Sequence, residues 1–206
     1  MVYDIGVKYD DKQDAKDLIK VLREHYKSVS IDWTGELFCS IKIDWDYEIR
    51  TVYLIIPGYM AKLLQRFIHT TPKRPEHKPH QHVQPQYGTK AKFTEPEDKT
   101  PLLQPKDITK LQQIIGEMLY YARVVGGTLM ITLNGLEYAQ TNGTQENMYA
   151  TEKLMDYCHT HSDKKIRYWS SQMQLHIHSN VLYLSASEAR RRVGGHFFLS
   201  YHFDPS

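Results

Sequence analysis

At 206 residues, 41% hydrophobic and 12% aromatic, the chain carries enough apolar material for a real core in one or two small domains, which excludes a disordered polymer. A net charge of +2 excludes a strong electrostatic footprint for nucleic acid over the whole surface, but not a local basic cluster. No apolar run reaches the roughly 18 residues of a membrane span, and the charges at Asp4 and Lys8 exclude a secretory core at the N-terminus. The chain therefore reads as intracellular, cytoplasmic or nuclear, with no membrane partner.

In chain order, "VYDIGVKY" (residues 2–9) reads as a short strand. A helix follows, with Asp10 or Asp11 as its N-cap and Ala15, Leu18, Ile19 and Leu22 at helical spacing on one face. "SVSIDW" reads as a strand ending near a turn at "TGE". "LFCSIKIDW" alternates Leu37, Cys39, Ile41, Ile43 and Trp45, the period of one half-buried strand. "RTVYLIIP" stops at Pro57, which has no N–H to continue a ladder and suits the first turn of a helix. That helix, "GYMAKLLQRFI", turns Met60, Leu63, Leu64 and Phe67 inward.

Residues 71–106 change character. Seven of the nine prolines fall between Pro72 and Pro105, apolar residues are sparse, and the segment reads as an extended connector rather than a packed element. Beyond it, "PKDITKLQQIIGEMLYYARVV" is a strong helix with Ile108, Leu111, Ile115, Met118, Leu119 and Ala122 on one face, broken by Gly126-Gly127. "TLMITLNGLEYAQ" is read as a second helix, although its β-branched residues leave a strand open. "TQENMYATEKLMDYCHTH" is a third, capped by Thr144 or Asn142. Three strands close the chain: "KIRYW", "MQLHIHSN" and "GHFFLSYHF".

Several groups bear on chemistry. Two cysteines, Cys39 and Cys158, stand far apart with no CxxC pair, so neither a zinc nor a redox motif is visible and both are expected reduced. His77, His80 and His82 lie within six residues but in Pro-broken sequence, without the partners of a metal site. His176 and His178 alternate onto one strand face. Fifteen tyrosines against six phenylalanines suit stacking surfaces for bases, and equally suit half-exposed sheet faces. Arg190, Arg191 and Arg192 precede a glycine pair, where guanidinium groups can hold phosphates or simply solvate a turn. Asp4 is one acid at a strand–turn position where two-metal chemistry uses a pair.

Four blocks, in order, resemble the copia-type retrotransposon polyprotein, from the end of its reverse transcriptase into the start of its ribonuclease H. "VYDIGVKY" is similar to the family's VDD-centred turn. "DWTGELFCSIKIDWDYEIRTVYLIIPGYMAKLLQRF" resembles the block around "YLG-I". "QQIIGEMLYYARVV" is similar to the "Y---VGSLMYLA" helix, and "LHIHSNVLYLSASEARRRVGGHFFLS" resembles the "L-GYSDADWAGD--RRSTSGYVFFL" opening of ribonuclease H. By this resemblance Asp4 is the second carboxylate of the polymerase pair, with Tyr3 in place of the first, and Asn180 stands where the first ribonuclease H aspartate belongs. The remaining family acids belong upstream of residue 1 and beyond residue 206. An amide cannot supply the charge that paired divalent cations require, so the magnesium site is expected incomplete and no cofactor is expected.

The resemblance implies an α+β fold in two lobes. Residues 1–70 would be a palm and thumb remnant and 71–106 the Pro-rich linker. Residues 107–170 would form a helical connection, and 171–206 a truncated ribonuclease H sheet of two or three strands. The implied function is a catalytically inactive fragment with residual binding of RNA–DNA hybrid or single-stranded nucleic acid through Arg190, Arg191 and Arg192. An interaction protein that docks or forms homo-oligomers through an exposed sheet edge is the alternative. A polymerase or nuclease component completed by another chain is the third.

Overall fold

The architecture is that of a computed structural model, which describes residues 4–80, 98–137, 139–182 and 192–201. The fold is α+β. Helix α1 (Lys12–His25) precedes strands β1 (Leu37–Phe38), β2 (Ile41–Asp46) and β3 (Thr51–Ile55), then helices α2 (Tyr59–Arg66) and α3 (Pro105–Val124). A 3-10 turn at Gly127–Leu129 leads into α4 (Met130–Leu136), α5 (Ala139–Asn142) and α6 (Gln145–Thr160). Strands β4 (Lys165–Trp169), β5 (Gln174–Leu182) and β6 (Arg192–Ser200) follow. One antiparallel sheet has the order β1-β2-β3-β4; β5 and β6 form a separate antiparallel pair.

One core runs through the helices. Met60, Leu63, Leu64 and Phe67 of the α2 region pack in the same cluster as Leu111, Ile115 and Met118 of α3, Leu133 of α4 and Leu154 of α6. Ile41, Leu54 and Ile166 line it from the sheet. Tyr59 ties α2 to α3: its ring stacks on Tyr121 at 5.7 Å and its hydroxyl donates to the Glu117 carbonyl at 2.9 Å. An Arg66–Glu117 ion pair closes the same seam.

The expected division at residues 71–106 therefore does not separate two cores. β4 falls within residues 107–170, expected in the lobe beyond the linker; instead it pairs with β3 of the N-terminal segment, Tyr53 opposite Arg167 and Leu54 opposite Ile166. Sheet and core both cross the boundary. The physical reason is that α2 and the sheet each expose an apolar face too large to leave wet, and α3 and α6 supply the complementary surface. The described flanks of the connector are also docked, contrary to an unpacked reading. Leu103 N–H donates to the Gly143 carbonyl at 2.9 Å and Gln145 N–H to the Pro101 carbonyl at 3.0 Å, at the start of α6. At its other end, Glu76 N–H donates to Thr160 Oγ1 at 3.0 Å. Residues 81–97, the centre of the expected linker, lie outside the described residues.

Other elements differ locally. Residues 4–9 and 28–33 form no strand, since no neighbouring strand offers them a ladder. The single strand expected over residues 37–45 is a hairpin. Cys39 (φ 49°) and Ser40 (φ 66°) both lie in the left-handed region, the backbone of a tight two-residue hairpin turn, and reverse the chain between β1 and β2. Leu37 consequently shares a face with Lys42 rather than with Ile41. Helix α1 has its Asp11 cap, with Gln13 N–H donating to the carboxylate at 2.8 Å. Only Ala15 of its expected apolar face is buried, and Leu18 is 40% exposed. In α3, Leu111, Ile115, Met118 and Ala122 of the expected stripe are buried while Ile108 and Leu119 are half-buried, and Ile114 and Tyr121 are buried as well, because partners cover more than one face of this helix.

Candidate nucleic-acid interface

Pleat parity sorts the four-stranded sheet into two faces. Ile41, Leu54 and Ile166 point to the helical core. Residues in the alternate register point away from it: Lys42 and Asp44 of β2, Tyr53 of β3, and Lys165, Arg167 and Trp169 of β4. Cross-strand pairing sets them in rows, Asp44–Tyr53–Arg167 at the centre and Asp46–Thr51–Trp169 at one end.

The side chains form a cation–aromatic stack. The Arg167 guanidinium lies 5.6 Å from the Tyr53 ring and 4.8 Å from the Trp169 ring, bridging the two. Lys165 Nζ lies 4.7 Å from the other end of this group, over Tyr53. Trp169 is 62% exposed. Its cross-strand partner Thr51 is buried, and the Thr51 hydroxyl has no hydrogen-bond partner among the described residues. Arginine is weakly hydrated and planar, so it holds an aromatic face open on one side while stacking on the other. The arrangement presents an exposed indole ring, with a half-buried phenol behind it, beside positive charge, which is what binding of unstacked bases and their phosphates requires. Positive charge is concentrated on the edge strand β4; Asp44 and Asp46 on β2 oppose it.

The residues expected from the sequence lie elsewhere. Asp4 is exposed in an irregular segment, where its carboxylate interacts with the Cys39 thiol; slight desolvation of that exposed thiol first, then Asp4, pushes its pKa up. Tyr3, Arg190 and Arg191 fall outside the described residues. Arg192 opens β6 opposite Leu182, and Asn180 lies in β5 opposite Gly194. Among the described residues, no group of three or more His, Cys, Asp or Glu side chains is placed to hold a metal ion. Of the three linker histidines, His77 meets His161 at 3.2 Å, His80 is exposed, and His82 is outside the described residues.

Lys42, Tyr53, Lys165, Arg167 and Trp169 were missed as a site by reading the sequence. A signal was present in "KIRYW", where Lys165, Arg167 and Trp169 fall at period two. Tyr53 joins them only through register, across 114 positions of sequence.

A cleft of about 390 Å³ lies between the end of α2, α3 and α6. His69 Nε2 sits 2.8 Å from the Asp156 carboxylate there, on a side chain only 9% exposed. Lys73 and Lys110 line the cleft together with Glu152, so its charge is mixed. The dyad ties the chain leaving α2 to α6.

No protein-family model, curated protein or solved structure matches the chain. Among the described residues, no helix is long and apolar enough to cross a membrane.

Proposed function

We propose that this chain binds single-stranded nucleic acid on the outer face of its four-stranded sheet, as a non-catalytic descendant of a copia-type reverse transcriptase–ribonuclease H segment working in the cytoplasm or nucleus. The observation that carries the binding reading is the Tyr53–Arg167–Trp169 stack, flanked by Lys165 and Lys42. Bases stack on the exposed Trp169 ring, while the backbone tracks the basic edge strand. A flat aromatic platform favours unpaired bases over an RNA–DNA hybrid, whose bases are already stacked. The non-catalytic part of the reading rests on the resemblance, with Tyr3 and Asn180 in place of metal-binding acids.

The test is fluorescence anisotropy with labelled single-stranded DNA and RNA, a hybrid and a duplex. Single strands should bind best, and Trp169→Ala should weaken binding by about 1–3 kcal/mol, a loss of roughly five- to 150-fold. Equal affinity of wild type and Trp169→Ala would refute the platform.

A second reading, docking or self-association through a sheet, draws on β5 and β6. Leu175, Ile177, Phe197 and Leu199 share one face of this pair and are each at least 50% exposed. The β4 edge supports it less, since Lys165 and Arg167 are the charges that blunt edge-to-edge pairing. Sedimentation across a concentration series separates it from the first reading: association without strand binding favours docking.

A further inference from the structure

We propose that Lys164, Tyr157, Thr128, His161 and His77 form a binding site for a phosphate-class oxyanion, at the C-terminal end of α6. Lys164 Nζ donates to Thr128 Oγ1 at 2.7 Å and to the Tyr157 hydroxyl at 2.8 Å. It also lies 4.2 Å from the Tyr157 ring centroid. An ammonium has three N–H donors, and these two contacts leave one for a ligand. Thr128 Oγ1 and the Tyr157 hydroxyl are themselves 3.2 Å apart, so three polar atoms converge.

The charge around this point is one-sided. Among the described residues Lys164 forms no ion pair; the ion pairs there are Arg66–Glu117 and His69–Asp156. Asp163, beside it in sequence, is exposed. The Cys158 thiol is buried and stays protonated. The Tyr121 phenol, raised chiefly by burial, meets Lys164 and feels Asp163, and the remaining titratable groups at the cluster are two imidazoles. The His161 ring packs on Tyr157 at 4.7 Å, and its Nε2 lies 3.2 Å from His77 Nδ1. Burial, then Lys164, then His77 hold His161 below its ordinary pKa.

Lys164 donates to two hydroxyls, the His161 ring packs on the same Tyr157 and meets His77, and no carboxylate pairs with the lysine among the described residues, so its charge is left without a counter-ion. A tetrahedral oxyanion supplies the acceptors, taking the free Lys164 N–H, a hydroxyl and a protonated imidazole in charge-assisted bonds. Phosphate suits the histidines best, because its own second ionisation lies near pH 6 and the bound dianion favours protonation of His161. None of these residues belongs to the sheet face, so this site stands or falls apart from the strand-binding reading.

The experiment follows the histidine ring resonances of the full chain by NMR while inorganic phosphate replaces chloride at constant ionic strength. His161 and His77 should shift saturably, and the His161 pKa should rise when phosphate is bound. Adenosine monophosphate against adenosine distinguishes a phosphorylated small molecule from free phosphate; binding of the monophosphate but not the nucleoside is expected. Lys164→Met and Thr128→Val should each weaken phosphate binding about tenfold or more, with Trp169→Ala unchanged. Thr128→Val leaves the lysine and both imidazoles in place and decides the matter should Lys164→Met fold poorly. A linear, non-saturating shift, equal binding by Thr128→Val, or equal binding of adenosine and its monophosphate would overturn the proposal.

Discussion

Replacing Lys165 and Arg167 together by glutamine separates the charge of the proposed platform from its stacking. Both residues are exposed on the edge strand, so the sheet should fold without them. The outer face carries three cations, Lys42, Lys165 and Arg167, in position to neutralise phosphates. For single strands the logarithm of the binding constant falls by about 0.7 per neutralised phosphate for each tenfold rise in salt, which gives a wild-type slope of about −2. Going from 50 to 200 mM salt should then weaken binding about twentyfold. With Lys42 alone the slope falls to about −0.7 and the same change costs only about threefold. Trp169→Ala should do the reverse, lowering affinity at every salt concentration while leaving the slope near −2. Anisotropy titrations of a labelled oligonucleotide at four salt concentrations read both quantities. An unchanged slope in the Lys165→Gln/Arg167→Gln protein would place the phosphate contacts elsewhere, with Arg190, Arg191 and Arg192 next to be tested.

Leu63, 2% exposed, sits in the core shared by α2, α3 and α6, so Leu63→Ala should cost about 2–5 kcal/mol and lower one common melting transition. Calorimetry showing a separate, unshifted transition for residues 107–170 would contradict the shared core. Burial pushes the Cys158 thiol up to about 12, and Tyr121 and Tyr59 are raised chiefly by burial too. Groups with raised folded pKa values stabilise the fold fully below their unfolded values, so stability should fall as pH rises from about 9 towards 12. The fall should be shallower in Cys158→Ala, as read by urea melts across that range. Asn180→Asp and Tyr3→Asp should yield no magnesium- or manganese-dependent cleavage or extension above a chelated control, because one restored acid does not assemble a two-metal centre. Metal-dependent turnover in either variant would refute the non-catalytic reading.

How much was legible in the sequence follows from how local each determinant is. The helices α2, α3 and α6 were readable because 3.6-residue periodicity, a cap such as Thr144 and a break such as Gly126-Gly127 all act within a few residues. The Thr144 cap is also a capping box, its hydroxyl accepting from Asn147 N–H. Strand periodicity was more deceptive. Alternation ran unbroken through Cys39 and Ser40, yet their left-handed backbone folds the segment into a hairpin. Residues 4–9 and 28–33 alternate too, and remain irregular because a strand exists only where a neighbour completes its hydrogen bonds.

The candidate sites show the same divide. "KIRYW" by itself specifies two cations and a ring on one face of a strand. Only the β3–β4 register brings Tyr53 under Arg167 and makes a platform of them. Likewise, nothing near Lys164 in sequence announces Thr128, and the packing of α6 against the turn after α3 brings the two together. Composition and periodicity determined that the chain would bury a helical core, because burial of apolar stripes needs no particular partner. Which strand joined which, and which polar side chains met, was decided by tertiary structure, because those contacts depend on register and packing between segments far apart in the chain.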